Sequence, residues 1–298
     1  MTARFHLSVP TTPPAAPARL PGFITDIRPQ PKLREQRAVA HAARLTGLDG
    51  LYVPFDPAGL ESLVVAGGLL REAAPLEVTA EFHPAIASPV YAAKLTVSAQ
   101  RFAASRLNWR LAVDLDPATA RAHGDFLQEK DRYARAAEFL TVARGVWETR
   151  GYSHEGTFYQ VLGGGFPVSR SGPRFPRIYL SGTSAAALAL SQAHADVHIF
   201  TPGEDRGLRP AGVTVGLALP VLAREDDAEA AFAARRAGFD ARPGAVTGSY
   251  ERVAGTLAEY AGQGIGEFFL RTPDPVTDGY LVGQHVLPLL QKETSHAG

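Results

Sequence analysis

The sequence predicts a (β/α)8 barrel, in which eight parallel strands close into a ring surrounded by helices. Three observations lead to this fold class. Short apolar runs rich in β-forming residues recur along the chain, and most of them alternate with helical patterns of about 10–15 residues. Such an alternation produces βαβ units and a parallel sheet. The length of 298 residues suits one barrel of this kind, although an open, doubly wound sheet is an alternative with the same alternation.

Each predicted element follows from a local pattern, and together they form a single domain over residues 1–298. The predicted strands are Phe5–Val9, Leu51–Pro54, Leu76–Phe82, Asn108–Val113, Arg177–Ser181, Asp196–Phe200, Val213–Leu222 and Glu267–Leu270. The predicted helices are Leu33–Leu45, Leu60–Ala74, Val90–Ala104, Arg132–Trp147, Ser184–His194, Ala228–Ala237, Tyr250–Tyr260 and Tyr280–Gln291. We expect Trp109 and Trp147 to lie in the core or at an interface.

Composition excludes several classes of function. Thirty basic and thirty acidic residues cancel, so no basic field favours nucleic acid. Cysteine is absent, which removes disulfides, thiolate metal sites and cysteine nucleophiles. No window reaches the ~18 apolar residues of a membrane span, and Met1–Pro10 lacks the pattern of a secretory signal. We therefore expect a cytoplasmic protein that binds neither nucleic acid nor a membrane.

The sequence lacks the motifs that metal binding, nucleotide-loop binding and hydrolase chemistry require. His194 and His198 are four residues apart, but the chain is predicted to leave a helix between them, so we expect no metal site. Gly163-Gly164-Gly165 lacks the preceding strand and following helix of a nucleotide-binding loop. There is no Gly-x-Ser-x-Gly motif of the hydrolase type.

Two irregular stretches interrupt the alternation. Thr11–Pro31 is rich in proline and follows the first predicted strand, so in a barrel it lies at the C-terminal rim, where ligands bind. Gly163–Pro176 is rich in glycine and proline. Either stretch could instead be a simple surface connection.

The turn after the fifth predicted strand is a candidate anion site. It reads Ser181-Gly182-Thr183-Ser184 and opens the helix that begins with Ala185–Leu190. A helix N-terminus presents unpaired amides and a positive dipole end, and nearby hydroxyl groups add further donors. The turn therefore suits a phosphate group, with a plain helix cap as the alternative reading.

The order of motifs from Asp131 to Asp196 carries a family resemblance. Asp131-Arg132-Tyr133 opens a long helix, Tyr152–Tyr159 follows it, and Pro176–Ser184 ends in the small-residue turn. Val246–Val253 and the last strand and helix continue the pattern. This order resembles the bacterial luciferase-like flavin monooxygenases, most closely the two-component alkanesulfonate monooxygenases. The resemblance implies a barrel, reduced FMN supplied by a separate flavin reductase, a small organic substrate and a homodimer. Coenzyme F420 is the alternative cofactor.

The resemblance also implies roles for individual residues. It places the FMN phosphate at Ser181, Gly182, Thr183, Ser184 and Tyr133, and the flavin ring near Arg110, Asp114 and His83. The alternatives without cofactor binding are an ion pair of Arg110 with Asp114 or Asp116, a solvated His83, and a half-buried aromatic role for Tyr133. Glu129 stands where the sulfonate enzymes usually have a histidine near the phosphate, and a carboxylate there repels a phosphate, with Lys130 beside it as an alternative source of positive charge.

Several residues of the sulfonate enzymes are replaced. Ala218 and Pro220 stand where an arginine and a histidine are expected, and Thr11-Thr12 replaces a polar or histidine residue after the first strand. No cysteine follows the second strand, and the segment between Arg236 and Val246 is too short for the lid insertion. Catalytic residues are therefore not assigned. A degenerate, non-catalytic barrel that binds flavin or another ligand is the alternative function.

Overall fold

Eight parallel strands close into a barrel in the computed structural model, which describes residues 3–12, 33–85, 87–166 and 172–296. The barrel strands are β1 (Arg4–Ser8), β2 (Gly50–Val53), β3 (Glu77–Phe82), β4 (Leu107–Leu111), β7 (Ile178–Ser181), β8 (Val197–Phe200), β9 (Thr214–Arg224) and β11 (Ile265–Arg271). Each pairs in parallel with the next, and β11 pairs with β1 to close the ring. The predicted barrel is confirmed, and the open doubly wound sheet is wrong.

Three further strands were not predicted from the sequence. β5 (Tyr152–Glu155) and β6 (Gln160–Gly164) form an antiparallel hairpin outside the barrel, so the first part of the predicted Gly163–Pro176 loop belongs to a strand. β10 (Val246–Ser249) pairs in parallel with the last four residues of β9, beyond the part of β9 that pairs with β11. β9 is therefore longer than the barrel wall and extends past its C-terminal rim.

Helices surround the barrel and begin at side chains that cap them. They are α1 (Arg34–Leu45), α2 (Ser62–Leu70), α3 (Pro89–Ala103), α4 (Pro117–Ala122), α5 (Glu129–Glu148), α6 (Ala185–His194), α7 (Asp227–Arg236), α8 (Tyr250–Gly262), α9 (Pro275–Leu281) and α10 (Leu287–His296). Ser88, Ser184 and Ser249 each accept a hydrogen bond from an amide in the first turn of the helix that follows. The predicted helix Tyr280–Gln291 is interrupted by a π-helical turn, Val282–Val286.

Apolar side chains fill the layer between the barrel and the helices. The largest cluster packs α1, α2, α8 and α10 against one side of the barrel, and a second cluster packs α3, α5 and α6 against β3, β4 and β7. Trp109 and Trp147 both belong to the second cluster, which confirms their predicted place in the core. A third cluster, which includes Tyr52, Tyr179 and Phe269, fills the centre of the barrel.

A buried ion network lies inside the barrel near the starts of the strands. Glu267 Oε2 lies 3.0 Å from His6 Nε2 and accepts a hydrogen bond of 3.0 Å from the Tyr179 hydroxyl. Arg177 Nη2 donates to Glu267 Oε1 at 2.6 Å. Burial alone would raise the pKa of Glu267, but His6 and Arg177 outweigh it and hold that pKa at about 2. Glu267 is thus a buried carboxylate kept ionised by its neighbours.

The structure describes only part of the loops at the C-terminal rim. Of the proline-rich stretch, Thr11 and Thr12 are described, and the remainder up to Pro31 lies outside the described residues. Ala237–Ala245 connects α7 to β10 as a short turn, in line with a shortened lid insertion. No helix in the described part of the chain has the length and apolar character needed to cross a membrane.

Candidate functional site

A cavity of about 320 Å³ opens at the C-terminal end of the barrel, and we call it the mouth cavity. It is lined by Phe55, Glu81, Arg110, Ala112, Val113, Asp114, Leu115, Ser181, Gly182, Ile199, Thr201 and Glu204. Four of the residues singled out in the sequence, Arg110, Asp114, Ser181 and Gly182, therefore share one cavity. This is the position at which barrels of this class bind ligands.

Arg110 forms the floor of the mouth cavity with its guanidinium held on three sides. Its Nε lies 3.1 Å from Glu81 Oε1, Nη1 donates to the Tyr52 hydroxyl at 3.0 Å, and Nη2 donates to Ser181 Oγ at 3.4 Å. The side chain is buried, and Glu81 outweighs the effect of burial and raises the pKa of Arg110. An ion pair of Arg110 with Asp114 or Asp116 is wrong, because the partner is Glu81.

Glu81 and Tyr52 are site residues that the sequence reasoning missed. Glu81 accepts hydrogen bonds from the Tyr52 hydroxyl and from the Phe55 amide, the latter at 3.0 Å. Burial, and then the Glu81 carboxylate, raise the pKa of Tyr52. A usable signal existed, since Glu81 and Arg110 are opposite charges in neighbouring apolar strands and are paired in register.

The β7–α6 turn, Ser181–Ser184, carries the features expected of an anion site. Ser184 Oγ accepts the Ala187 amide at 3.2 Å and caps α6. Gly182 has a φ of +111°, and a Cβ there would lie 2.9 Å from Ala187 Cβ and 3.3 Å from the Tyr133 hydroxyl. Glycine is therefore required both by the backbone conformation and by the close approach of Ala187 on α6 and the Tyr133 hydroxyl.

The Tyr133 hydroxyl faces this turn, and no group among the described residues has hydrogen-bonding geometry to it, although Ser184 and Asp114 lie close enough to shift its pKa. The side chain is 4% exposed, and burial raises its pKa. Buried hydroxyl groups without partners are uncommon in folded proteins, so this one is available for a ligand. The orphaned hydroxyl and the glycine cradle fit a phosphate or hydroxyl group at the turn. Thr183 completes the turn and is exposed.

His83 is placed one layer behind the mouth cavity and does not line it. Its Nδ1 lies 2.7 Å from the Ala112 carbonyl oxygen, and its Nε2 lies 3.0 Å from Asp125 Oδ2. Arg135 also contacts Asp125 at 2.9 Å. Burial lowers the pKa of His83. A solvated rim histidine is wrong, because His83 is 2% exposed and both ring nitrogens have partners.

The remaining rim positions lack the charged pair of the sulfonate enzymes. Ala218 is buried in the barrel centre beside Tyr52 and Phe269, and Pro220 follows it in β9. Thr12 Oγ1 donates to Asp56 at 3.2 Å. The part of the chain that the structure describes contains no group of three or more His, Asp or Glu side chains suited to a metal ion.

Comparison with known proteins agrees with this architecture. The family described as luciferase-like monooxygenase matches residues 4–283. A riboflavin lyase with modified FMN and riboflavin is 16% identical with a TM-score of 0.78, covering 99% of this chain and 92% of that one. EDTA monooxygenase from Chelativorans sp. BNC1 is 15% identical with a TM-score of 0.78 (98% and 94% covered). A coenzyme F420-dependent tetrahydromethanopterin reductase from Methanopyrus kandleri is 13% identical with a TM-score of 0.72 (96% and 99%).

A closed (β/α)8 barrel with a polar cavity at the C-terminal ends of its strands is an enzyme architecture. The chain belongs to the luciferase-like monooxygenase family, whose match covers nearly all of its residues. The family membership confirms the predicted class, an oxidoreductase of the monooxygenase type.

Proposed function

We propose that the chain is a flavin-dependent monooxygenase that uses reduced FMN and dioxygen to oxidise a small organic substrate. One observation carries this proposal. Arg110 at the floor of the mouth cavity donates to Ser181 in the β7–α6 turn, and the orphaned Tyr133 hydroxyl lies beside Gly182 in the same turn. A polar floor and a glycine-bearing helix N-terminus suit the two ends of a flavin. Two of the relatives named above, the riboflavin lyase with modified FMN and the coenzyme F420-dependent reductase, support the same cofactor class.

In this proposal Ser181, Gly182, Thr183, Ser184 and Tyr133 hold the far end of the cofactor. When bound, a reduced flavin supplies the electrons with which dioxygen is activated. We propose that Arg110 lines the wall nearest the ring edge, and that Asp114, which lines the cavity together with Ser181 and Gly182, lies at the far end rather than beside the ring as the resemblance implied. Arg110 keeps its orientation because Glu81, Tyr52 and Ser181 hold the guanidinium on three sides.

His83 contacts the wall of the mouth cavity only through a backbone carbonyl group. It meets the Ala112 carbonyl oxygen, and Ala112 lines the mouth cavity. We therefore propose that His83 positions the end of β4 rather than the flavin ring itself. Asp125 and Arg135 fix the histidine from the other side.

The substrate in this proposal is small and organic, and a sulfonate is disfavoured. Ala218 and Pro220 offer no charge to bind an anion, and Arg224 donates to the buried Asp278 at 2.8 Å. We propose a separate flavin reductase as the source of reduced FMN, as the resemblance to two-component monooxygenases implies. The cytoplasmic location expected from the sequence stays a prediction.

Flavin titration of the purified protein tests the proposal directly. We expect oxidised or anaerobically reduced FMN to bind with micromolar or tighter affinity, followed by flavin fluorescence or calorimetry. Tyr133→Phe removes the orphaned hydroxyl and weakens binding, whereas Tyr260→Phe, on α8 outside the mouth cavity, serves as a matched control. Coenzyme F420 is titrated in parallel, since the same turn suits its phosphate. If neither FMN nor F420 binds in either redox state, the non-catalytic alternative replaces the proposal.

We also propose a homodimer, formed through a patch on α2 and α3. Val64, Tyr91, Leu95 and Phe102 expose 72%, 56%, 45% and 88% of their surface, respectively. An apolar groove of about 420 Å³ runs beside Phe102 between the two helices. Tyr91, Leu95 and Phe102 have the spacing of one face of α3, and exposed apolar side chains clustered in this way commonly mark a protein interface.

A further inference from the structure

Two carboxylates flank the β7–α6 turn, on the side where the far end of a flavin would lie. Asp114 lines the mouth cavity together with Ser181 and Gly182. Glu129 lies four residues before Tyr133 on α5, and residues with this spacing share one face of a helix. Asp114 and Glu129 also line one adjoining cavity of about 600 Å³. Both carboxylates raise the pKa of the Tyr133 hydroxyl, after burial, which shows that they act on the same point.

Two arginines near the turn, Arg110 and Arg132, are engaged elsewhere. Arg110 pairs with Glu81, as described above. Arg132 donates to the Leu115 carbonyl oxygen at 2.9 Å and lies 3.3 Å from Asp125. Among the described residues that line the mouth cavity there are three carboxylates, from Glu81, Asp114 and Glu204, and one guanidinium. Arg121 lines the adjoining cavity, and it is exposed, as are Lys130 and the two carboxylates Asp114 and Glu129.

This charge distribution opposes a group with two negative charges. A phosphate monoester carries nearly two charges at neutral pH, and each nearby carboxylate repels it. A hydroxyl group meets no such repulsion, because it donates a hydrogen bond to a carboxylate and accepts one from a tyrosine hydroxyl. The orphaned Tyr133 hydroxyl and the Asp114 carboxylate supply one partner of each kind.

We propose that Asp114 and Glu129 select against a terminal phosphate, so that the chain binds a flavin ending in a free hydroxyl at least as tightly as its phosphate ester. Riboflavin is the flavin of this kind that serves as the probe. The inference rests on the proposed function in one respect, namely that the mouth cavity holds a flavin. Asp114 and Glu129 are then specificity-determining residues of that site.

The test is a comparison of riboflavin and FMN binding to the full chain by calorimetry. We expect an FMN affinity no greater than that of riboflavin. Asp114→Asn and Glu129→Gln should each raise the ratio of FMN to riboflavin affinity by about threefold, and the double variant by about tenfold. Glu148→Gln, at the other end of α5 and exposed, removes a carboxylate from the same helix and should leave the ratio unchanged.

Salt dependence supplies a second readout that needs no variant. Added salt screens repulsion, so the affinity for FMN should rise between low and high ionic strength while the affinity for riboflavin stays constant. An FMN affinity above that of riboflavin, or a ratio that neither the variants nor salt change, overturns the inference. Failure of both flavins to bind instead overturns the proposed function.

Discussion

Arg110 on β4 and Glu81 on β3 occupy paired positions on neighbouring parallel strands, and 3.1 Å separates Arg110 Nε from Glu81 Oε1. Both side chains are largely buried, with 9% and 14% exposed. A buried pair of this kind adds little net stability over apolar residues, but removal of one partner leaves an uncompensated charge. The pair therefore ties the polar floor of the mouth cavity to the integrity of the barrel wall.

We predict that Glu81→Gln and Arg110→Gln each lower the free energy of unfolding by about 3 kcal/mol, because each leaves its partner buried without a counter-charge. The double variant should lose clearly less than the sum of the two, with a coupling of about 1–3 kcal/mol. Urea unfolding of the native protein, the two single variants and the double variant measures this coupling. Glu72→Gln, which breaks the exposed pair with Arg37, should cost less than about 1 kcal/mol, and strict additivity of the two buried changes would contradict the prediction.

We predict that the network around Glu267 makes the barrel sensitive to acid. The folded state holds the pKa of Glu267 at about 2, well below its ordinary value. The folded state therefore favours the carboxylate, and the stabilisation is complete above pH 5 and is lost as the pH falls toward 2. The loss reaches about 3 kcal/mol from this group.

Urea unfolding at several pH values between 7 and 3 checks this, with Glu267→Gln as the comparison. The variant should be less stable at pH 7, because His6, Arg177 and Tyr179 lose their shared carboxylate. Its stability should also vary less with pH over the acidic range. Parallel pH curves for the two proteins would show that Glu267 is not the responsible group.

We predict that Gly182→Ala harms both the fold and ligand binding. The left-handed φ costs a non-glycine residue about 1 kcal/mol, and the new Cβ also crowds Ala187 and the Tyr133 hydroxyl. Gly203→Ala is the matched control, because its φ is +92° but a Cβ there meets nothing within 4 Å. Thermal unfolding and flavin titration should show a larger loss for Gly182→Ala in both measurements, and equal losses would contradict the close contact.

We predict that Phe102→Glu converts a dimer into a monomer, because a charge at the centre of an apolar contact must be desolvated. Sedimentation at micromolar concentration measures the mass. Phe232→Glu, on the exposed face of α7, changes the same residue type at 60% exposure and should leave the dimer intact. A native protein that sediments as a monomer would remove the homodimer proposal altogether.

Sequence patterns predicted the barrel because its strands are covered on both faces. A strand such as Gly50–Val53 is fully buried and reads as a short apolar run between turn signals. β6 and β10 lack this signature, since Gln160–Gly164 is mostly exposed and Val246–Ser249 contains threonine, glycine and serine. Their pairing depends on neighbouring strands rather than on their own composition.

The candidate site could be predicted from the sequence only where its signal is local. The turn at Gly182 carries a local signal, because small residues and a capping serine open a helix. The partner of Arg110 could not be predicted from the sequence, because the ion pair with Glu81 depends on the register of two strands. The orphaned hydroxyl of Tyr133 was equally hidden, since the lack of a partner is a property of three-dimensional packing.

The extension of β9 past the barrel has a mechanical consequence. The backbone amides of Val246–Ser249 pair with Val221–Arg224, so this sector of the rim is a continuation of the sheet. Amide hydrogens in such a ladder exchange slowly with solvent, because exchange requires the strands to separate. One flank of the entrance thus acts as a fixed wall, and any widening of the entrance during ligand entry must come from the opposite flank.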